Sequence, residues 1–517
     1  MTTRSRASDD GPLVLAVDTS TTATKAIVVD ASGRVLAFGK SDIPMHTPAP
    51  GFFEHDPADW WRTTDEAARA ALASLSGVDR SRVAAMSVAP QRQSFGLFRH
   101  DGTPLRRGIL WLDGRAADQV VRYGSERVHR LSGQPPDVTP SLYKMAWLRQ
   151  HEPDVLRAAD KVVGVHGYVS FCLTGQWLDS TATADSLGLF DMERLDFADE
   201  LLDIAGVTRD QMATLFEAGA VMGDIRSDIA GSWGLDRPIP LVAGCGDGQA
   251  AGLGAGAVGP SDAYLNMGTA IVMGVHSPTY RCGDVYRTDV AGLPGHYVLE
   301  AVQNSGAYLT QWFRENLGDA ALAGAPDPEL DAQAASAGIG AGGLVVLPYW
   351  TAAQSPYWDP MARGAVVGLT GAHGRGHIYR AILEALSLEA ARNLAGMQKD
   401  AGTTINRVMI MGGGQRSALW RQIMADAIGL PLISCATDEV SALGAAIMAM
   451  SVTGVHGPVP DIAASARAMA RTGETCEPDP AAHARYEEIG AIQGELYGRL
   501  KDLFPRLQHP CQQGQQS

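Results

Sequence analysis

Four short constellations carry side chains fit for chemistry on phosphate and hydroxyl groups. The first is Asp18-Thr19-Ser20-Thr21-Thr22-Ala23-Thr24-Lys25, directly after an apolar run at 13–17. A tight hydroxyl-rich turn offers N–H and O–H donors to phosphate oxygens. Asp18 can hold Mg²⁺ directly or through water, and Lys25 adds positive charge. The same residues also suit a plain polar hairpin turn. The second is Gly244-Cys245-Gly246-Asp247-Gly248-Gln249. An aspartate on a glycine loop after a buried strand can reach a ligand hydroxyl, because glycine permits close approach; an ordinary turn aspartate is the alternative. The third is Gly268-Thr269, a second phosphate-sized turn, and the fourth is Gly412-Gly413-Gly414, where a flat nucleobase can lie against bare backbone. Other motifs are missing. No GxxxxGK[ST], HExxH, GxSxG or EF-hand pattern occurs, and Gly254-Ala255-Gly256-Ala257-Val258-Gly259 fits GxGxxG without a strand immediately before it.

The elements that must position these groups are legible around them. Residues 13–17 and 26–29 read as strands joined by a turn at 20–24, and 35–38 continues the meander. Asp56-Pro57 opens a helix in which Trp60, Trp61, Ala67, Ala68, Ala71, Leu72 and Leu75 recur at helical spacing. Residues 83–88 form a buried strand that ends in Pro90-Gln91-Arg92-Gln93, the kind of junction where α/β folds place ligand contacts. Residues 263–267, Gly268-Thr269 and 270–275 repeat the pattern of the first hairpin, so the chain reads as two similar halves with a boundary near Pro260. Residues 407–411 form a strand leading into the glycine triplet. Ser417 opens a helix that Gly429 and Pro431 stop, and 441–450 is a further apolar helix.

The order of all four constellations resembles the FGGY family of carbohydrate kinases, from about residue 13 to about residue 454. Supporting segments are Gly51-Phe52-Phe53-Glu54-His55-Asp56-Pro57, Ile109-Leu110-Trp111-Leu112-Asp113-Gly114-Arg115, Pro356-Tyr357-Trp358-Asp359-Pro360 and Trp420-Arg421-Gln422. The resemblance implies an α/β chain on the two-domain actin/hexokinase-like (ribonuclease H-like) ATPase fold, with a cleft between the domains. It divides the chain into a disordered start (1–12), an N-terminal domain with sugar site and catalytic base (13–259), a C-terminal ATP-binding domain (260–507) and a disordered tail (508–517). Asp247 matches the catalytic base and Asp18 the metal and phosphate aspartate. Thr21, Thr22, Lys25, Gly268, Thr269, Gly412, Gly413 and Ser417 match the ATP side. Arg92, Gln93, Trp111 and Asp113 fall where family members contact sugar or polyol. The middle of the chain is most similar to xylulokinases, as in His151-Glu152-Pro153 and Leu173-Thr174-Gly175. Two positions depart: Ser20 stands where the first hairpin usually carries Gly, and Arg92-Gln93-Ser94 where xylulokinases carry Met-His-Gly. Gln91-Arg92-Gln93 looks more like the Gln-Arg-Glu of glycerol kinases.

The expected activity is ATP- and Mg²⁺-dependent phosphorylation of a small sugar or polyol, a pentulose such as D-xylulose, with glycerol, erythritol or another polyol as the alternative. Rivals from other classes are a non-catalytic sugar sensor on the same fold and a chaperone-type ATPase. With 42 basic and 57 acidic residues in 517, the net charge of −15 speaks against a nucleic-acid or anionic-membrane partner. Hydrophobic residues at 45% and charged residues at 19% supply real cores and exclude a disordered chain, and the length suits two or three domains. Six dispersed cysteines, Cys172, Cys245, Cys282, Cys435, Cys476 and Cys511, form no CxxC pair and fit reduced cytosolic thiols. No signal or membrane-spanning segment is expected, so the location read is cytoplasmic. The oligomeric state stays open, a homodimer included.

Overall fold

The computed structural model describes residues 11–319, 322 and 327–507. The tail expected to be disordered and Cys511 lie outside them, as does the start up to residue 10. Gly11 is described, and its carbonyl accepts from the Arg82 guanidinium.

Two sheets organise the chain. The first contains β1 (Leu13–Thr19), β2 (Ala23–Asp30), β3 (Val35–Asp42), β4 (Val83–Pro90), β5 (Val221–Asp224) and β6 (Pro240–Val242), in the order β5-β6-β4-β1-β2-β3. The second contains β7 (Asp262–Met267), β8 (Ile271–Ser277), β9 (Arg287–Val290), β10 (Tyr297–Gln303), β11 (Arg407–Met411), β12 (Leu432–Cys435) and β13 (Thr472–Cys476), in the order β9-β10-β8-β7-β11-β12-β13. In each, an antiparallel run, β1-β2-β3 in one and β7-β8-β10-β9 in the other, is extended by strands parallel to the first: β4 and β6 in one, β11 and β12 in the other. This is the repeated ribonuclease H-like half expected from the paired hairpins. Parallel strands buried on both faces read as continuous apolar runs, which is why 13–17, 83–88 and 407–411 were legible.

Five helices matter for the site: α1 (Pro57–Ala73), α2 (Asp247–Gly254), α3 (Ala307–Leu317), α4 (Ala418–Ile428) and α5 (Val440–Ser451). Asp56 caps α1 by accepting from the Ala58 N–H, and Trp60 on its buried face is fully enclosed.

The boundary near Pro260 separates the two sheets, but it does not separate the cores. Helix α5 belongs by position to the second half, yet it packs on β1, β2 and β4 and crosses α2. One apolar core joins Val14, Ala16 and Ile27 to Ala250, Leu253, Leu443, Ala446 and Ile447. The crossing of α2 and α5 is close because both carry glycine there. A Cβ on Gly254 would lie 2.0 Å from the Val440 carbonyl oxygen, and one on Gly444 would lie 1.9 Å from that of Ala250. The first glycine of the GxGxxG-like run therefore serves helix packing.

Candidate active site

The carboxyl ends of the parallel strands β1, β4 and β6 come together with the N-termini of α2 and α5, and most of the expected site residues gather there. Asp18 sits near the end of β1, paired in register with Lys25 on β2. Its Oδ1 is buried without a hydrogen-bond partner. Burial, then the nearby charge of Asp247, pushes its carboxyl up to about 7, with Lys25 opposing and Glu439 adding to the rise. The Lys25 ammonium donates to both oxygens of Glu439, at 3.0 and 2.7 Å. Glu439 stands at the N-cap position of α5, so this pair ties the first hairpin to the second half of the chain.

Asp247 is the first residue of α2, and its side chain is 37% exposed. Desolvation raises its carboxyl above the usual range, while Arg92 pulls the other way. The Arg92 Nε lies 3.3 Å from Asp247 Oδ1. The glycines beside Asp247 make room for this arginine. A Cβ on Gly246 would lie 2.3 Å from Arg92 Cδ, and one on Gly248 2.6 Å from its Nη2. The close approach that the glycine loop permits is thus made by Arg92.

Two expected sugar contacts are spent inside the protein. Asp113 is fully buried, and its oxygens accept from the Phe53 N–H, the Arg115 N–H and the Arg115 guanidinium. Gln93 is also buried; its amide donates to Gln134 and accepts from Arg287, and its backbone takes a positive φ of 60°. Both pairings share a cause: each polar group is within reach of a buried arginine, and a buried arginine must be paired. Arg92 likewise meets Asp289 and Glu300 as well as Asp247. Trp111 is different, with 37% exposure. Its indole N–H donates to Thr21 Oγ1 at 2.9 Å, its backbone N–H to Ser94, and its carbonyl accepts from Lys144. It links Ser94 and Lys144 to the first hairpin.

On the other sheet, Gly268-Thr269 turns between β7 and β8, and the N-terminus of α3, which follows β10, packs on it. The Ala307 and Tyr308 N–H groups donate to the Gly268 and Thr269 carbonyls. Gly412 takes φ 84°, where a Cβ would lie 3.0 Å from the Gly268 nitrogen, so the glycine triplet and the second hairpin abut. Gly413 faces open space. Ser417 caps α4, accepting from the Trp420 N–H. Thr22 closes the first hairpin, its carbonyl accepting from Ile43.

Sequence reasoning missed Glu439, Gln134, Lys144, Arg287, Asp289 and Glu300. A signal existed for Glu300: a carboxylate in the otherwise apolar strand Tyr297–Gln303 calls for a buried partner. Among the described residues, no three His, Cys, Asp or Glu side chains group closely enough to hold a metal ion. No helix among them is long and apolar enough to cross a membrane.

Paired ribonuclease H-like halves with a hydroxyl-rich hairpin in one and a glycine turn in the other define the actin/hexokinase-like class. The family model for the N-terminal domain of the FGGY family of carbohydrate kinases matches residues 13–254, and that for the C-terminal domain matches residues 263–452. The chain belongs to the FGGY family and is a carbohydrate kinase, for which ATP is the implied phosphoryl donor. It is 31% identical over 444 residues to a xylulose kinase of Escherichia coli strain K12, covering 84% of this chain and 89% of that one. It is 33% identical over 452 residues to a glycerol kinase of Dechloromonas aromatica, covering 84% and 88%. The solved xylulose kinase from Rhodospirillum rubrum superposes with a TM-score of 0.86 at 30% identity, covering 95% of this chain and 99% of that one.

Proposed function

We propose that the chain transfers the γ-phosphoryl group of ATP to a hydroxyl of a neutral polyhydroxylated substrate, a pentulose such as D-xylulose. The observation that carries the neutral class is the charge state of the sugar end. The Arg92 and Arg287 guanidiniums are taken up by Asp247, Asp289 and Glu300, which leaves neither of these buried cations free for a substrate carboxylate. The xylulokinase-like middle segment and the xylulose kinase relatives favour the pentulose. Glycerol is the second reading, favoured by Gln91-Arg92-Gln93 and by the glycerol kinase relatives.

In this reading Asp247 takes the proton from the attacking hydroxyl as the acceptor oxygen bonds to phosphorus. The bond from phosphorus to the bridging oxygen breaks, and ADP leaves with its electron pair. The raised carboxyl of Asp247 suits a proton acceptor, and its partial exposure leaves it open to a substrate. The hairpin donors at Thr21 and Thr22 and the Lys25 ammonium bind phosphate oxygens, Lys25 exchanging Glu439 for phosphate. Gly268 and Thr269 close on the phosphate chain from the second sheet, while Gly412, Gly413 and Ser417 border the base and ribose. Mg²⁺ fits at Asp18, whose buried Oδ1 lacks a partner; magnesium is commonly held by one or two carboxylates with substrate phosphates and water completing its shell. Bound there, it would neutralise charge on the transferring phosphoryl group.

The test is ADP release with saturating ATP across D-xylulose, D-ribulose, glycerol, erythritol and D-gluconate. The highest kcat/KM is expected for D-xylulose and none above background for D-gluconate. A preference for glycerol would move the assignment to the second reading, and a preference for gluconate would overturn the neutral class.

A further inference from the structure

The Arg92 guanidinium reaches Asp247 with only one edge. Its Nη1 donates to Asp289 at 2.7 Å, and its Nη2 to both oxygens of Glu300 at 2.9 and 3.1 Å, which leaves Nε turned to Asp247. Glu300 is fully buried on β10 and is itself held: Arg287 donates to its Oε1 from Nε at 2.9 Å and from Nη2, and the Tyr264 hydroxyl donates to its Oε2 at 3.2 Å. Asp289 accepts from Gln134 at 2.9 Å. Asp289, Glu300, Arg287 and Tyr264 all come from the second sheet; Arg92 and Asp247 come from the first half.

We propose that Glu300 is a positioning residue for phosphoryl transfer: by clamping Arg92 it fixes where the Asp247 carboxylate points. The second half of the chain thereby sets the base carried by the first. Three observations converge on this. Asp247 is the one member of the Arg92 cluster with a substantially exposed side chain, so the buried charges lead outward to it. The backbone beside Asp247 is moulded on the pair, since a Cβ on Gly248 would lie 2.6 Å from Arg92 Nη2 and 2.8 Å from Glu300 Oε2. A buried ion cluster is also a weak stabiliser compared with apolar packing of the same volume, so stability alone gives no reason for four charges to meet here. The guanidinium fork supplies one, because two fixed donors leave the third no freedom to rotate.

The proposal rests on the reading of Asp247 as base, and the test separates the two. Sugar-phosphate formation is measured for Glu300→Gln, Asp247→Asn and the double variant, with thermal unfolding as a folding control. Misplacing a catalytic group by about 1 Å costs on the order of 100-fold, so Glu300→Gln is expected to lower kcat about 10- to 100-fold while the KM for ATP stays within about twofold. Added to Asp247→Asn, it should cause no further loss, because its effect passes through Asp247. Wild-type kcat in Glu300→Gln, or an equal loss in both backgrounds, overturns the proposal and leaves the base reading intact. Wild-type turnover in Asp247→Asn removes the base reading and the proposal with it. If Glu300→Gln does not fold, Tyr264→Phe serves in its place. It removes a single hydroxyl from Glu300, and a several-fold loss of kcat that disappears in the Asp247→Asn background is expected; a loss equal in both backgrounds sinks the idea.

Discussion

A carboxylate near the end of β1 and another at the start of α2 are partnered differently. Both are half-buried, but one oxygen of Asp18 is buried without a partner, whereas Asp247 is held by Arg92. Asp247→Asn keeps the shape of the side chain and removes the proton acceptor. It is expected to lower turnover about 100- to 10,000-fold with an unchanged melting temperature, read by coupled ADP assay and calorimetry. Gln93 behaves differently. Gln93→Ala would strip Arg287 and Gln134 of a buried partner, and unsatisfied buried groups cost about 1–3 kcal/mol. The expected result is a lower denaturation midpoint with the KM for ATP unchanged. A stable variant with only the sugar KM raised would restore Gln93 as a direct substrate contact.

At the scale of elements, the crossing of α2 and α5 governs how the two halves meet. Gly444→Ala puts a methyl group 1.9 Å from the Ala250 carbonyl oxygen, backbone that cannot swing aside. Overpacking of this kind costs about 1–3 kcal/mol, and an unfolding free energy lowered by that amount is expected from chemical denaturation. The long helix Arg375–Ala401 offers a pH test. Its Glu389 is buried with Oε2 unpaired, and burial pushes its carboxyl up to about 7, with Arg392 opposing. The folded state then keeps a proton that the unfolded state releases near 4.5, so folding takes up a proton between these values. Stability contributed at this site therefore falls as pH rises from about 4.5 to about 7 and stays low above that. Glu389→Gln should melt higher than the wild type at pH 8, and the gap should narrow as pH is lowered through this window. A gap that is constant with pH would show that Glu389 does not titrate there.

Across the whole molecule, Arg92, Gln93 and Gln134 fasten the first half to Arg287, Asp289 and Glu300 of the second, while Lys25 and Glu439 bridge the halves beside the phosphate hairpin. If Lys25 binds phosphate as proposed, its bridge to Glu439 opens. Sugar with a non-hydrolysable ATP analogue is therefore expected to draw the halves together about the fixed sugar-side cluster, excluding water from the γ-phosphate. Small-angle scattering should show a smaller radius of gyration with both ligands than with neither, and ATP hydrolysis without sugar should be slow. An unchanged profile together with rapid futile hydrolysis would count against closure.

The two hairpins, the buried parallel strands that carry them and the glycine loop around Asp247 are legible in the sequence. These are local features: apolar runs, turn residues and strand-to-helix junctions each follow from a few neighbouring residues. It could not tell which polar side chains remain free. Arg92 and Asp113 look alike on paper as loop residues after a strand, and only the packing of distant segments brings Glu300 against one and the Phe53 N–H against the other. Nor could chain order place α5, which lies between β12 and β13 of the second sheet in sequence and packs on the first. Burial and pairing depend on residues hundreds of positions apart, so the tertiary structure alone decides which charges are spent on the fold and which remain for the substrate.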